Sequence, residues 1–114
     1  QMTDTLVLFQ SKVRGFSIYP QQGKISGLVY ATLGLTGEAG EVANQVKKVL
    51  RDDNEAVTPE RRDKIIDELG DVQFYRAAVC NELGIDIREV LVNNINKLDK
   101  RRENGQINGD RRGG

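Results

Sequence analysis

Leu6, Phe9 and Val13 open a pattern in which apolar side chains recur at three- and four-residue steps. The pattern returns in Ile25, Leu28, Leu35, Val42, Val46 and Val49, then in Ile65, Val72 and Val79, and finally in Ile87, Leu91, Ile95 and Leu98. Such spacing, rather than alternation, predicts helices throughout. A first helix is expected over about residues 4 to 14, ending near Gly15, with a loop through Tyr19-Pro20 after it. A long second helix is expected over about residues 24 to 51, stopping at Asp52-Asp53-Asn54. Thr58 is a suitable N-cap with Pro59 at the first helical position and Glu60 in the first turn, and this third helix is expected to reach Leu83 before Gly84 closes it. Asp86 then caps a fourth helix to about Glu103.

The predicted organisation is one all-α domain over residues 2–103 with a flexible tail at 104–114, where Gly, Asn and Arg predominate. The chain's 114 residues suit one domain. Gln1 ahead of Met2 is expected to be an extra residue before a native start. No apolar run approaches the roughly 18 residues of a membrane span, and no secretory leader pattern is present. With a single cysteine, Cys80, expected to pack as a small hydrophobe, these features point to a cytoplasmic protein without a membrane partner.

Charge changes the picture less than the missing residue types do. Lys+Arg and Asp+Glu both number 17, so the chain is formally neutral, and it has no histidine. Ser-His-Asp and Cys-His catalysis, His-bearing zinc sites and Glu-x-x-His di-iron bundles are all excluded. Chemistry must run on carboxylates, metal ions or bound water. Gly23-Lys24-Ile25-Ser26 resembles the end of a P-loop, but the preceding glycine and the residue after the lysine are both wrong.

On a helical wheel Glu38, Glu41 and Gln45 form a strip along the apolar face of the second helix, and Glu68, Asp71 and Tyr75 do the same on the third. Antiparallel packing of these helices would bring the carboxylates to one place. Several like charges require cations, and a hard, oxygen-liganded ion such as Mg²⁺, with Mn²⁺ as a substitute, suits a His-free cluster. The bland alternative is ordinary surface ion pairing, with Lys48 and Lys64 as partners. Each acidic turn contains a glycine, Gly40 or Gly70, which suggests close backbone approach at both. On the fourth helix Asn94, Lys97 and Arg101 make a basic strip suited to phosphate.

These residues carry a family resemblance. Leu33-Gly-Leu-Thr-Gly-Glu38-Ala-Gly-Glu41-Val and Asp67-Glu68-Leu-Gly-Asp71-Val-Gln-Phe-Tyr75 resemble the paired ExxE and ExxD motif of the MazG-like all-α nucleoside triphosphate pyrophosphohydrolases. Asn94-Ile-Asn-Lys97-Leu-Asp-Lys-Arg101 is similar to their N-x-x-K-L-x-x-x-R signature, and the whole resemblance, to the small single-domain bacterial and phage members, spans about residues 28 to 112. It implies a four-helix bundle, dimeric or a dimer of dimers, that hydrolyses an NTP or dNTP to the monophosphate and pyrophosphate with Mg²⁺, a nucleotide-pool house-cleaning reaction. It further implies that Glu38, Glu41, Glu68 and Asp71 hold metal, that Lys97 and Arg101 contact phosphate, and that Asn94 and Tyr75 contact phosphate or sugar. Lys48 is added to the expected phosphate contacts from its place on the Glu41 strip. The chain has no tryptophan, and its N-terminal segment, where the family builds a wall of the base pocket, departs most from the pattern.

Two other readings compete. A non-catalytic helical oligomeric interaction module would use the acidic strips for structural salt bridges. A nucleic-acid binder would use the basic tail, but six cations against three acids without aromatic residues is thin support. A homodimer or homotetramer is expected on separate grounds: Phe74, Ala77 and Ile66 give the third helix a second apolar side.

Overall fold

Local signals set the helix limits. In the computed structural model, which describes residues 2–105, the helices are α1 (Met2–Phe16), α2 (Ile25–Asp52), α3 (Pro59–Leu83) and α4 (Ile87–Glu103), with no strand among the described residues. The Thr58 hydroxyl accepts from the Arg61 N–H at 3.1 Å, and Pro59 occupies the first position of α3. Gly84 ends α3 in the left-handed conformation, φ 69°, which a side chain would resist. The Asp86 carboxylate accepts the Arg88 N–H at 2.9 Å and starts α4. Of the tail expected to be flexible, residues 106–114 lie outside the described residues.

The α2–α3 hairpin is the largest packing unit; α1 lies on α3, and α4 lies on α1. Asn54 and Glu55 turn the α2–α3 connection at positive φ, 55° and 61°. Arg61 locks it: its Nε donates to Asp53 at 2.7 Å and its Nη1 to Gln45 at 2.8 Å. At the crossing the buried side chains are small, Ala31 from α2 and Ala77 and Ala78 from α3, with Val13, Cys80 and Ile87 completing the core. Cys80 is a packed hydrophobe, and burial pushes its thiol pKa up.

Two expectations about packing need correction. Phe74 and Ala77 do not form an open second face of α3, because α1 covers them: Ala77 is fully buried and Phe74 packs into the core beside Leu6 and Phe9. Only Ile66 of that trio stays exposed. Nor do Gly40 and Gly70 mark close approaches, since a Cβ at either would meet open space. The close approaches are at Gly27, where a Cβ would collide with the Gln21 carbonyl, and at Gly34, where it would enter the Tyr75 ring.

The chain is open in shape. Its radius of gyration is 17.0 Å, against about 13 Å for a closed domain of this length. Beyond Ile87, which is buried with Ala77, Ala78 and Cys80, α4 makes its main contacts with α1 and exposes Val90, Leu91, Val92, Ile95 and Leu98. No helix among the described residues is long and apolar enough to cross a membrane.

Candidate active site

Antiparallel pairing of α2 and α3 sets three carboxylates opposite one another. Glu38 from α2 and Glu68 and Asp71 from α3 each offer an oxygen, and these oxygens lie within 4.8 Å of one another. The register follows from the sequence: Glu68 and Asp71 are three apart on α3, and Glu38 sits on the α2 face that contains the small residues of the crossing. Glu41, one turn along α2, is not within this group but adds its charge to it. Burial, followed by the charges of Asp71, Glu68 and Glu41, raises the Glu38 carboxyl above its ordinary value.

The ion pairs that would make these acids ordinary are absent among the described residues. Arg61 pairs with Asp53, Arg51 with Asp52 and Arg88 with Asp86, whereas neither Lys48 nor Lys64 bridges to Glu38, Glu41, Glu68 or Asp71. Each oxygen-only, partly exposed ligand suits a hard dication, and the donor set has nothing to offer a soft one.

The groove continues along both helices. One turn from Glu38 toward the start of α2, Gly34 makes room for the Tyr75 ring. Burial, then the charges of Tyr30, Glu38 and Asp71, raises the Tyr75 phenol above its ordinary value. A further turn along, Tyr30 stacks on Tyr19 at 5.2 Å between centroids and 13° between planes. The Tyr19 hydroxyl donates to Glu82 Oε2 at 2.6 Å, while the other oxygen of Glu82 accepts the Gly23 N–H at 3.0 Å. Burial, then this hydrogen bond and the charge of Glu82, raise the Tyr19 phenol pKa. Gln45 and Arg61 bound the opposite end.

The remaining candidates are distributed differently. Lys48 lies on α2, two turns past Glu41, and is half-buried. Asn94 and Lys97 are exposed and Arg101 is half-buried, all on α4, so one chain does not bring them to the carboxylates. Sequence reasoning missed Tyr30, Gly34 and Glu82. Tyr30 and Gly34 precede Glu38 by two turns and one turn on the same strip, a legible signal, whereas Glu82 is identified only through its bond to a loop.

The chain is thus an all-helical protein in which acids from two facing helices gather with no cation paired to them among the described residues. The MazG nucleotide pyrophosphohydrolase domain matches residues 30–106. The Gene 37 protein of Mycobacterium phage L5 is 45% identical over 105 residues, covering 90% of this chain and 92% of the phage protein. No solved structure matches. The chain belongs to the MazG nucleotide pyrophosphohydrolase domain family.

Proposed function

We propose that the protein is a Mg²⁺-dependent pyrophosphohydrolase that converts an NTP or dNTP to its monophosphate and pyrophosphate. The supporting observation is the triad Glu38, Glu68 and Asp71, gathered within 4.8 Å with no described cation paired to it. With Glu41 adjoining, these residues would hold a dication, which supplies charge neutralisation for the triphosphate and a more acidic bound water. Tyr75, whose ring lies against Gly34 one turn from Glu38, would contact phosphate or sugar. Lys48 is on the same strip as Glu41 and is available to phosphate. No protein nucleophile is required. Since no described cation pairs with the acids, the salt-bridged interaction module has less support.

The working unit in this reading is at least a dimer. Leu91, Ile95 and Leu98 form an exposed apolar stripe beside Asn94, Lys97 and Arg101 on a helix that stands off its own α2–α3 pair. Burying that stripe on a second copy would carry the basic strip toward the acidic groove, matching cations to anions.

Incubation with Mg²⁺ and each standard NTP and dNTP, followed by chromatographic separation, tests the reaction. Monophosphate and pyrophosphate are the expected products. Orthophosphate as the first product, or no turnover with any nucleotide, overturns the reading.

A further inference from the structure

Gln45 shares a strip of α2 with Glu38 and Glu41 but is not an acid. It follows Glu38 by seven residues, so the two side chains leave the helix within about 20° of each other. On α3, Arg61 precedes Glu68 by the same seven residues. The Gln45–Arg61 contact therefore lies two turns from the approach of Glu38 to Glu68 on both helices, about 10 Å at 1.5 Å per residue. Lys48 comes next along the strip. The α2 side of the groove thus runs from acids through an amide to a cation, which suits a phosphate chain that begins at a metal and continues beyond it.

The amide has one possible orientation. Arg61 Nη1 lies 2.8 Å from Gln45 Oε1, and a guanidinium only donates, so the oxygen must face it and the NH₂ group must face elsewhere. Gln45 Nε2 has no partner among the described residues, Glu41 one turn away included. Arg61 is itself committed, because its Nε donates to Asp53 at 2.7 Å and both side chains of that pair are largely buried.

We propose that Gln45 donates from Nε2 to the pyrophosphate end of the bound nucleotide, and that Arg61 is the positioning residue that fixes the amide in that orientation. The proposal rests on the pyrophosphohydrolase reading and adds to it a polar contact for the leaving group. An amide suits this place better than a lysine would, because it binds phosphate without forming an ion pair with Glu41 that competes with the metal. Holding the amide before the ligand arrives also lowers the ordering cost of binding.

Isothermal titration measures two affinities for each protein: Mg²⁺ alone, and inorganic pyrophosphate at fixed Mg²⁺. Gln45→Met matches the side chain in length and charge but has no donor, and should bind pyrophosphate about tenfold more weakly than wild type and Mg²⁺ equally. Gln45→Glu still accepts from Arg61, so it keeps the α2–α3 clamp, and it should lose pyrophosphate affinity by about tenfold or more. Arg61→Lys keeps the charge opposite Asp53 without the fork that also reaches Gln45. It should weaken pyrophosphate severalfold, and this effect should vanish in the Gln45→Met background, the mark of a residue that acts through another. Wild-type pyrophosphate affinity in Gln45→Met overturns the contact, and so does the same result in Gln45→Glu if Gln45→Met does not fold. Parallel loss of Mg²⁺ and pyrophosphate in Gln45→Met overturns it too, assigning Gln45 a structural role. Each of these results leaves the hydrolase reading in place. An undiminished Arg61→Lys effect in the Gln45→Met background overturns the positioning role. Binding of neither ligand by wild type removes the hydrolase reading and this contact with it.

Discussion

The side-chain oxygen of Gln10, in the middle of α1, accepts the N–H of Ile87, the first residue of α4, at 2.8 Å. The same amide donates from Nε2 to the Ile85 carbonyl at 2.8 Å and to Asn81 Oδ1 at 3.0 Å. Gln10 is 8% exposed and Ile87 fully buried, so water does not replace these bonds readily. A helix start must place its free N–H groups somewhere, and here part of that need is met from 77 residues away. Gln10→Leu fits the apolar surroundings but strands a buried donor and a buried acceptor. It should destabilise by about 1–3 kcal/mol, measured by urea unfolding.

Gly34 and Gly70 offer a controlled comparison. Alanine in place of glycine in a helix interior stabilises by about 1 kcal/mol when nothing is in the way. At Gly70 a Cβ meets open space, so Gly70→Ala should raise stability by that amount. At Gly34 it would enter the Tyr75 ring, and displacing a packed ring costs about 1–3 kcal/mol, enough to cancel or reverse the gain. Equal gains for the two variants in melting curves would mean that Gly34 is only a weak point in α2.

Metal binding to the triad predicts a thermal shift. A ligand that binds only the folded form stabilises it by RT ln(1 + [L]/Kd), about 2.7 kcal/mol at a hundredfold excess over Kd. Mg²⁺ should therefore raise the melting temperature at matched ionic strength. Glu68→Gln removes one of the repelling charges, so the metal-free variant should be at least as stable as wild type, with a smaller Mg²⁺ shift and little activity. An equal shift in both proteins would exclude Glu68 as a ligand of importance.

Subunit mixing tests whether α4 acts on another copy. Glu68→Gln and Lys97→Ala should each be nearly inactive alone. If sites combine the acids of one chain with α4 of another, refolding the two variants together in equal amounts should restore about a quarter of wild-type activity, because half of the dimers are mixed and each has one intact site. No recovery would mean that both residues act within one chain or not at all. Ile95→Glu, at the centre of the exposed stripe, should give a monomer by light scattering.

The start of α4 also carries a pH signature. The side chain of Arg88, then its backbone N–H, hold the Asp86 carboxyl down at about 2. A depressed folded-state pKa contributes stability that is present above the unfolded value, 3.8, and is lost as pH falls through about 2. Asp86→Asn keeps an N-capping oxygen but does not titrate. The stability difference between wild type and variant should thus shrink as pH is lowered across this window, followed by urea midpoints.

Helix limits were legible because their causes are local: Thr58 with Pro59, Gly84 and Asp86 each act within a few residues. The gathering of Glu38, Glu68 and Asp71 was legible too, since a short connection forces α2 and α3 antiparallel and helical period does the rest. The exact meeting points were not. Register along the hairpin depends on Arg61 reaching both Asp53 and Gln45, and on Tyr75 finding Gly34, so the tight contacts fall a turn or more away from the acidic glycines. The direction of α4 was hidden for a similar reason, because it depends on Gln10 meeting residues far along the chain.

The tyrosine row has an optical consequence. The chain contains three tyrosines and no tryptophan, and Tyr19, Tyr30 and Tyr75 all line one groove. Ultraviolet emission excited near 280 nm, and most of the near-ultraviolet circular dichroism, therefore originate from the site and its border rather than from the molecule at large. The unlabelled protein is its own local reporter.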